Sequence, residues 1–261
     1  MKRILIVIAA LTASCSAPSV SVMPFLASSS LDGSVASSGG GITASTDLGS
    51  LGVGDAEVGF GGRVDFVGPS SQWSITHGSS SFDGSGLLDA SLDLGGFEFE
   101  AALPATMSMD MGVTSLLWTK NFGIGDTAHF GIGFGLSALG IAAKIEGEVD
   151  DDGVPGGSTT TETGSMDETL PIPLLGLRLG GDIGPVRVEA TYAFLEVDVD
   201  EGSVSVTDMD IYGGLDVLGD IGTLVIGYRE FAFDASFADA SDSANMDLQL
   251  GGPYLGVRFA F

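Results

Sequence analysis

The stretch "YLGVRFAF", residues 254–261, decides how this sequence is read. With the two-residue period of a β-strand, Leu255, Val257, Phe259 and Phe261 share one face; Tyr254, Gly256, Arg258 and Ala260 share the other. The first face is apolar throughout and finishes in aromatics. The second carries a charge, a phenol and small residues. Soluble domains usually end in a frayed polar segment, whereas this strand runs out on Phe261. The pattern suits lipid against one face, with aromatics at the membrane–water interface, and a polar lumen against the other.

The bulk numbers point the same way. Of 261 residues, 35 are Asp or Glu and 9 are Lys or Arg, a formal net charge of −26. The mean hydropathy is nevertheless +0.38. A soluble protein this acidic is expected to be more polar, and an acidic soluble enzyme fits poorly with 41 glycines, which weaken strand interiors unless turns or crowded interiors need them. The same acidity excludes nucleic acid as a partner, since nothing here neutralises a row of phosphates.

Met1-Lys2-Arg3 followed by the apolar run Ile4 to Ala13 has the form of an export signal, placed at 1–14. The run is too short to cross a bilayer as a helix, which takes about 20 residues. Cys15 is the one cysteine, so an intrachain disulfide is excluded. In "LTASC" it resembles a bacterial lipidation site, with Thr12 a departure from the usual Leu; ordinary cleavage after Ala17 is the competing reading. The Ser/Gly-rich composition that follows predicts a flexible linker over 15–54 and a barrel domain over 55–261.

Beyond the linker the sequence alternates. "DMDIYGGLDVL" sets Met209, Ile211, Leu215 and Val217 against Asp208, Asp210, Tyr212 and Asp216. Met107, Met109, Met111 and Val113 share a face opposite Ser108 and Asp110; Phe130, Ile132 and Phe134 oppose Gly131, Gly133 and Gly135. Short Gly/Asp turns are read at Gly123–Asp126, Gly181–Gly184 and Gly219–Gly222. Long acidic connections are read at 146–168, 198–203 and 237–247. Strands are predicted near 106–121, 127–147, 167–181, 186–199, 204–217, 222–236 and 245–261, with three more in 55–100, one of them around Leu88. The fold class is therefore an all-β, transmembrane, antiparallel up-and-down barrel of ten strands, or eight if part of 68–105 is an excursion. It has short periplasmic turns and longer acidic extracellular loops. Adjacent Arg229 and Glu230, and the "GGP" at 251–253, break the apolar pattern and predict β-bulges.

Tyr254, Gly256, Phe259 and Phe261 together resemble the C-terminal assembly signal of bacterial outer-membrane β-barrels, and the plan over 55–261 is similar to small OmpA-like and OmpW-like barrels. The resemblance implies outer-membrane location, outer-membrane lipid as surroundings and the barrel-assembly machinery as a partner during biogenesis.

The predicted lumen charges are Arg178, Arg187, Glu189, Asp208, Asp210, Asp216 and Arg258. They can fill the interior, giving a structural or surface-interaction protein, or line a narrow cation-preferring pore for small solutes. A third reading is a lipid-acting enzyme: His77 and Ser79, two apart on one strand face, form a candidate base–nucleophile pair with Asp83 as a distant orienting group. Asp150, Asp151 and Asp152 are candidate Ca²⁺ ligands, which would let divalent cations bridge the acidic loops, although their spacing is not that of an EF-hand. No phosphate loop, zinc-ligand set or other cofactor motif is found in the sequence.

Overall fold

The computed structural model describes residues 19–39, 42–87, 92–94, 97–99, 104–125, 127–150, 159–199, 202–217, 221–238 and 243–261. Ten long strands form a ring: β1 (Ser19–Gly39), β2 (Glu57–Val67), β3 (Ser71–Leu87), β4 (Pro104–Ile124), β5 (Ala128–Asp150), β6 (Thr159–Ile183), β7 (Val186–Val199), β8 (Gly202–Asp216), β9 (Gly222–Ala238) and β10 (Ser243–Ala260). Each pairs antiparallel with its neighbours in the chain, and β10 pairs with β1 to close the ring. Val20 and Phe261 seal the closure, each donating its N–H to the other's carbonyl, at 3.2 and 2.8 Å.

The expected ten-stranded antiparallel barrel is present, but its first strand is not where the composition placed it. The segment expected to be a flexible linker, 15–54, supplies β1, paired with β10 on one side and β2 on the other. Its serines hide an ordinary alternation: Ser21, Met23 and Phe25 are buried while Val22, Pro24 and Leu26 are exposed. The third ring strand expected within 55–100, around Leu88, has no place in the ring, because β3 pairs directly with β4. Leu92–Leu94 and Phe97–Phe99 form a small separate sheet, and 88–91 lie outside the described residues. The acidic connections are also shorter than expected, because β5 and β6 continue to Asp150 and from Thr159, and β7 and β8 to Val199 and from Gly202.

At one end of the barrel the connections are tight. Gly125 and Gly184 have φ of 64° and 60°; Gly184 precedes Pro185 in the two-residue β6–β7 link, where a hairpin turn needs a positive φ that glycine supplies without strain. Both ring termini lie at this turn end. At the opposite end a 3₁₀ turn, Leu48–Leu51, is capped by Asp47, whose carboxylate accepts from the Gly49 N–H at 2.7 Å. It drives Leu48, Leu51 and Val53 into the interior. A side chain at Gly84 would run into the Leu51 carbonyl, so β3 needs glycine where this plug packs.

Every strand keeps one face outward along its whole length, yet on all but the short β2 the chemistry of that face changes along the strand. On β4, Leu116, Trp118, Phe122 and Ile124 project outward near the turn end; further along, Thr114, Ser108 and Asp110 do. On β9 the outward series is Leu224, Ile226, Tyr228, then Glu230 and Asp234; on β10 it is Phe259, Leu255, Pro253, then Gln249 and Asp247. On β5 the outward apolar run covers 128–138, a length that spans about 25 Å when tilted, the height of a membrane-facing band. The remaining residues of β5, 139–150, carry the wall roughly 30 Å further. The interior changes in the opposite sense. Near the turn end it is polar and charged; above the band it is an apolar core containing Met107, Met109, Met111, Phe82, Phe231 and Phe233 among others.

The bulges expected at 229–230 and 251–253 do not occur. The β9 ladder runs in unbroken register from Gly222↔Phe259 to Ala238↔Ser243, and β10 meets β1 in one register throughout. Arg229 points inward and Glu230 outward; Leu248 and Leu250 point inward with Tyr254 and Gly256. What breaks there is the chemistry of the two faces, not the backbone.

Candidate functional site

The centre of the turn-end half is a lattice of charge across the lumen. Arg63 on β2 is 2% exposed and reaches four groups. Its Nε donates to Asp65 Oδ1 at 2.9 Å and its Nη1 to Asp210 Oδ2 at 3.1 Å. Nη2 donates to Ser74 Oγ at 3.3 Å and also to Glu189 Oε1. The guanidinium carbon lies 5.3 Å from the centre of the Tyr212 ring, a cation–π contact. Arg178 on β6 shares the same Glu189 oxygen and donates to Ser74 Oγ at 2.6 Å and Thr119 Oγ1 at 3.2 Å.

A second node lies one layer higher. Arg229 on β9 donates to both oxygens of Asp208, at 3.2 and 3.0 Å, and to Ser115 Oγ at 3.1 Å. Ser115 in turn lies 2.8 Å from Ser137 Oγ on β5. Tyr254 on β10 donates its hydroxyl to Asp210 at 2.7 Å, and Ser21 on β1 to Asp65 at 3.5 Å. All ten strands therefore contribute. Three guanidinium groups (Arg63, Arg178, Arg229) face four carboxylates (Asp65, Glu189, Asp208, Asp210), and the hydroxyls supply donors to the excess acid. Burying such charge is tolerable only because each group is paired and hydrogen-bonded. The interior cavities bordered by Arg229 measure about 30 and 50 Å³, room for a few waters at most.

Of the lumen charges expected from the sequence, Arg178, Glu189, Asp208 and Asp210 meet in this lattice. The other three lie near the turn end, Arg187 and Asp216 apart from the lattice and Arg258 at its edge, through Ser21. Arg187 forms a two-bond pair with Asp182, at 2.7 and 3.1 Å, partly in solvent. Asp216 accepts from Thr223 at 2.6 Å, and Arg258 donates to Ser21 at 3.0 Å. Arg63, Asp65 and Arg229 are absent from the charges expected in the lumen. For the first two a signal is present: period two through "GFGGRVD" puts Gly59, Gly61, Arg63 and Asp65 on one face. Arg229 is masked by the break in pattern beside it, which reads as a bulge.

The remaining candidates scatter. His77, Ser79 and Asp83 all lie on the outward face of β3. His77 Nδ1 is 2.9 Å from Thr114 Oγ1, on the neighbouring strand. Ser79 takes the next outward position, and Asp83 stands two outward positions beyond it. Tyr254 and Gly256 are buried in the lumen, Tyr254 with its ring 4.8 Å from that of Phe25, while Phe259 and Phe261 face outward. Asp150 ends β5; Asp151, Asp152 and Cys15 lie outside the described residues. Among the described residues no group of three or more His, Cys, Asp or Glu side chains is arranged to hold a metal ion.

No protein-family model matches the chain, and no curated protein does. Among solved structures, the outer-membrane protease OmpT from Escherichia coli superposes with a TM-score of 0.59 at 10% identity, over 96% of this chain and 100% of that one. The transport unit of the autotransporter AIDA-I from Escherichia coli gives 0.36 at 9% identity, over 96% and 92%. The attachment invasion locus protein Ail of Yersinia pestis gives 0.31 at 10%, over 94% and 100%. The likeness to OmpT extends to the fold alone. With the closed ring and the outward apolar band, it gives this chain the fold of a small outer-membrane β-barrel.

Proposed function

We propose that this protein is an outer-membrane barrel with a filled lumen, whose work is structural or is done by contacts at its acidic, water-facing end. The supporting observation is the charge lattice: its Arg63 and Arg229 nodes together take side chains from all ten strands, and an apolar core is stacked above them. A path for ions would have to cross both layers, the lower one closed by paired charge and the upper one by side chains that do not hydrate.

Export through the segment 1–14 belongs to this reading, with the turn end periplasmic and the taller end extracellular. Lipidation of Cys15 would set an anchor within four residues of β1, at the periplasmic leaflet and with no tether between. The mass of the mature N-terminus tests this: acyl groups on Cys15 support it, and an unmodified N-terminus elsewhere rejects it. The lumen is tested in a planar bilayer under a salt gradient. The refolded protein is expected to insert without discrete current steps; steps with a cation-selective reversal potential would make it a pore instead.

A further inference from the structure

The extracellular wall is not of even height. β5 and β6 rise to Asp150 and Thr159, whereas β7 and β8 stop at Val199 and Gly202, leaving a notch in the rim. The ladder between β6 and β7 ends at Leu175↔Phe194. Continued in register, the next positions would set Pro173 against Glu196 and Pro171 against Asp198. Proline lacks the N–H that a ladder needs, so the two strands part here. Above this point β6 pairs with β5 alone, and residues 195–199 of β7 pair with β8 alone. The small hairpin of Leu92–Leu94 and Phe97–Phe99 leans on β5 and β6 but forms a separate sheet. Among the described residues, then, the edge of β6 over 159–169 has no strand beside it.

The notch also uncovers part of the apolar interior. Leu170, Val197 and Phe237 occupy lumen-facing positions yet are 37%, 42% and 52% exposed. Around them the exposed rim is acidic: Asp167, Glu168, Glu196 and Asp198. Above the Arg229 node, Lys144 is the one base among the described residues, and it is already paired with Glu146. A free strand edge, an apolar row on its inner side and acids on its rim together specify a complementary ligand.

We infer that the notch docks an extended cationic peptide segment of alternating apolar and basic residues, added as a strand to the free edge of β6. Strand addition supplies main-chain hydrogen bonds, and alternation sends side chains to opposite faces. Apolar side chains then meet Leu170 and Val197, and basic ones meet Asp167, Glu196 and Asp198. This rests on the surface-interaction reading above and names its partner class.

The test uses the full-length protein in nanodiscs of zwitterionic phosphatidylcholine, with a fluorescent peptide of alternating lysine and valine. Its block isomer, valines first and lysines after, has the same charge without the alternation. The alternating peptide is expected to bind, to slow amide exchange over 159–169, and to lose about tenfold in affinity to Glu196→Lys/Asp198→Lys, whose changes are at exposed rim positions. Absence of binding, equal binding of the block isomer, or binding without new amide protection on β6 would each overturn the proposal. Unchanged affinity in a double variant that folds normally would do so too. If the protein conducts ions, the filled-lumen reading falls whatever the peptide does. If it neither conducts nor binds the peptide, the docking proposal alone falls.

Discussion

Met109 and Arg63 both point into the barrel, one into an apolar core and the other into a cage of carboxylates. Phe134 and Asp110 both point out, one into the membrane band and the other into water. The two halves are built on the same strands, with the same side-chain parity and opposite chemistry. Alternation identifies two faces without saying which is inside. The outer solvent decides that. Where lipid lies outside, apolar side chains gain nothing by turning inward, and polar groups must collect in the lumen where they can satisfy one another. Where water lies outside, the hydrophobic effect draws the apolar row inward, as in any soluble barrel. On β4 the exchange occurs within two residues, at Thr114 and Ser115, with no interruption of the ladder.

The lower half depends most on Arg63. Arg63→Ala removes the cation shared by Asp65, Glu189 and Asp210 and leaves buried carboxylates under-compensated. The expected loss is about 4 kcal/mol, the scale for breaking a buried ion pair from one side. Urea unfolding in detergent, followed by the loss of heat-modifiable migration, measures it. A loss below about 1 kcal/mol, on the same scale, would mean that the lower half is held by its wall rather than by its lattice. The upper half is probed by Phe82→Ala, which empties a 1% exposed site in the apolar core. A cost of about 3 kcal/mol is expected from lost burial and the residual cavity. If the change proves neutral, the upper interior is looser than a packed core.

The outer faces sharpen the same contrast. Phe134→Arg places a charge in the membrane band, where an outward arginine costs roughly 2 kcal/mol or more depending on depth; Asp110→Arg makes a similar change of side chain above it, in water. Folding into lipid vesicles should therefore be impaired by the first and nearly unaffected by the second. Equal impairment would put the membrane boundary higher on β4 and β5 than the outward residues indicate.

How much of this is legible in the sequence depends on how each segment shows its faces. The lipid face of β10 can be read directly from Leu255, Val257, Phe259 and Phe261, because four apolar residues at period two, ending in aromatics, mark a strand with one face in lipid. The inverted half is present in the sequence as a shift of phase. The apolar residues of β4 fall on odd positions from Met107 to Val113 and, Leu117 apart, on even ones from Leu116 to Ile124. The same shift at Arg229–Glu230 and at Gly251–Pro253 reads as a pair of bulges, since a bulge and an exchange of solvent leave identical marks in a single sequence. β1 is hidden differently: its inner row passes through Ser21, Ala27 and Ser29, and small polar residues resemble a linker until a neighbouring strand is in view. The lattice is half legible. Inward charges follow from parity, but which of them meet depends on the shear of the ring, and this is what separates Arg187 from Arg178 although they lie on adjoining strands.

That separation yields the smallest expected effect. Arg187 and Asp182 face each other across β6 and β7 with two good hydrogen bonds, at 2.7 and 3.1 Å. Their side chains are nevertheless 31% and 57% exposed, so water and salt screen the attraction and either partner left alone is rehydrated. Arg187→Ala should cost less than about 1 kcal/mol and lose even that at high salt. Arg63→Ala should keep most of its cost under the same salt, because its partners are out of reach of ions. Measured side by side, the two variants separate ion pairing as such from burial: if both losses vanish together as salt rises, the Arg63 lattice is hydrated and the lower lumen is wetter than its packing implies.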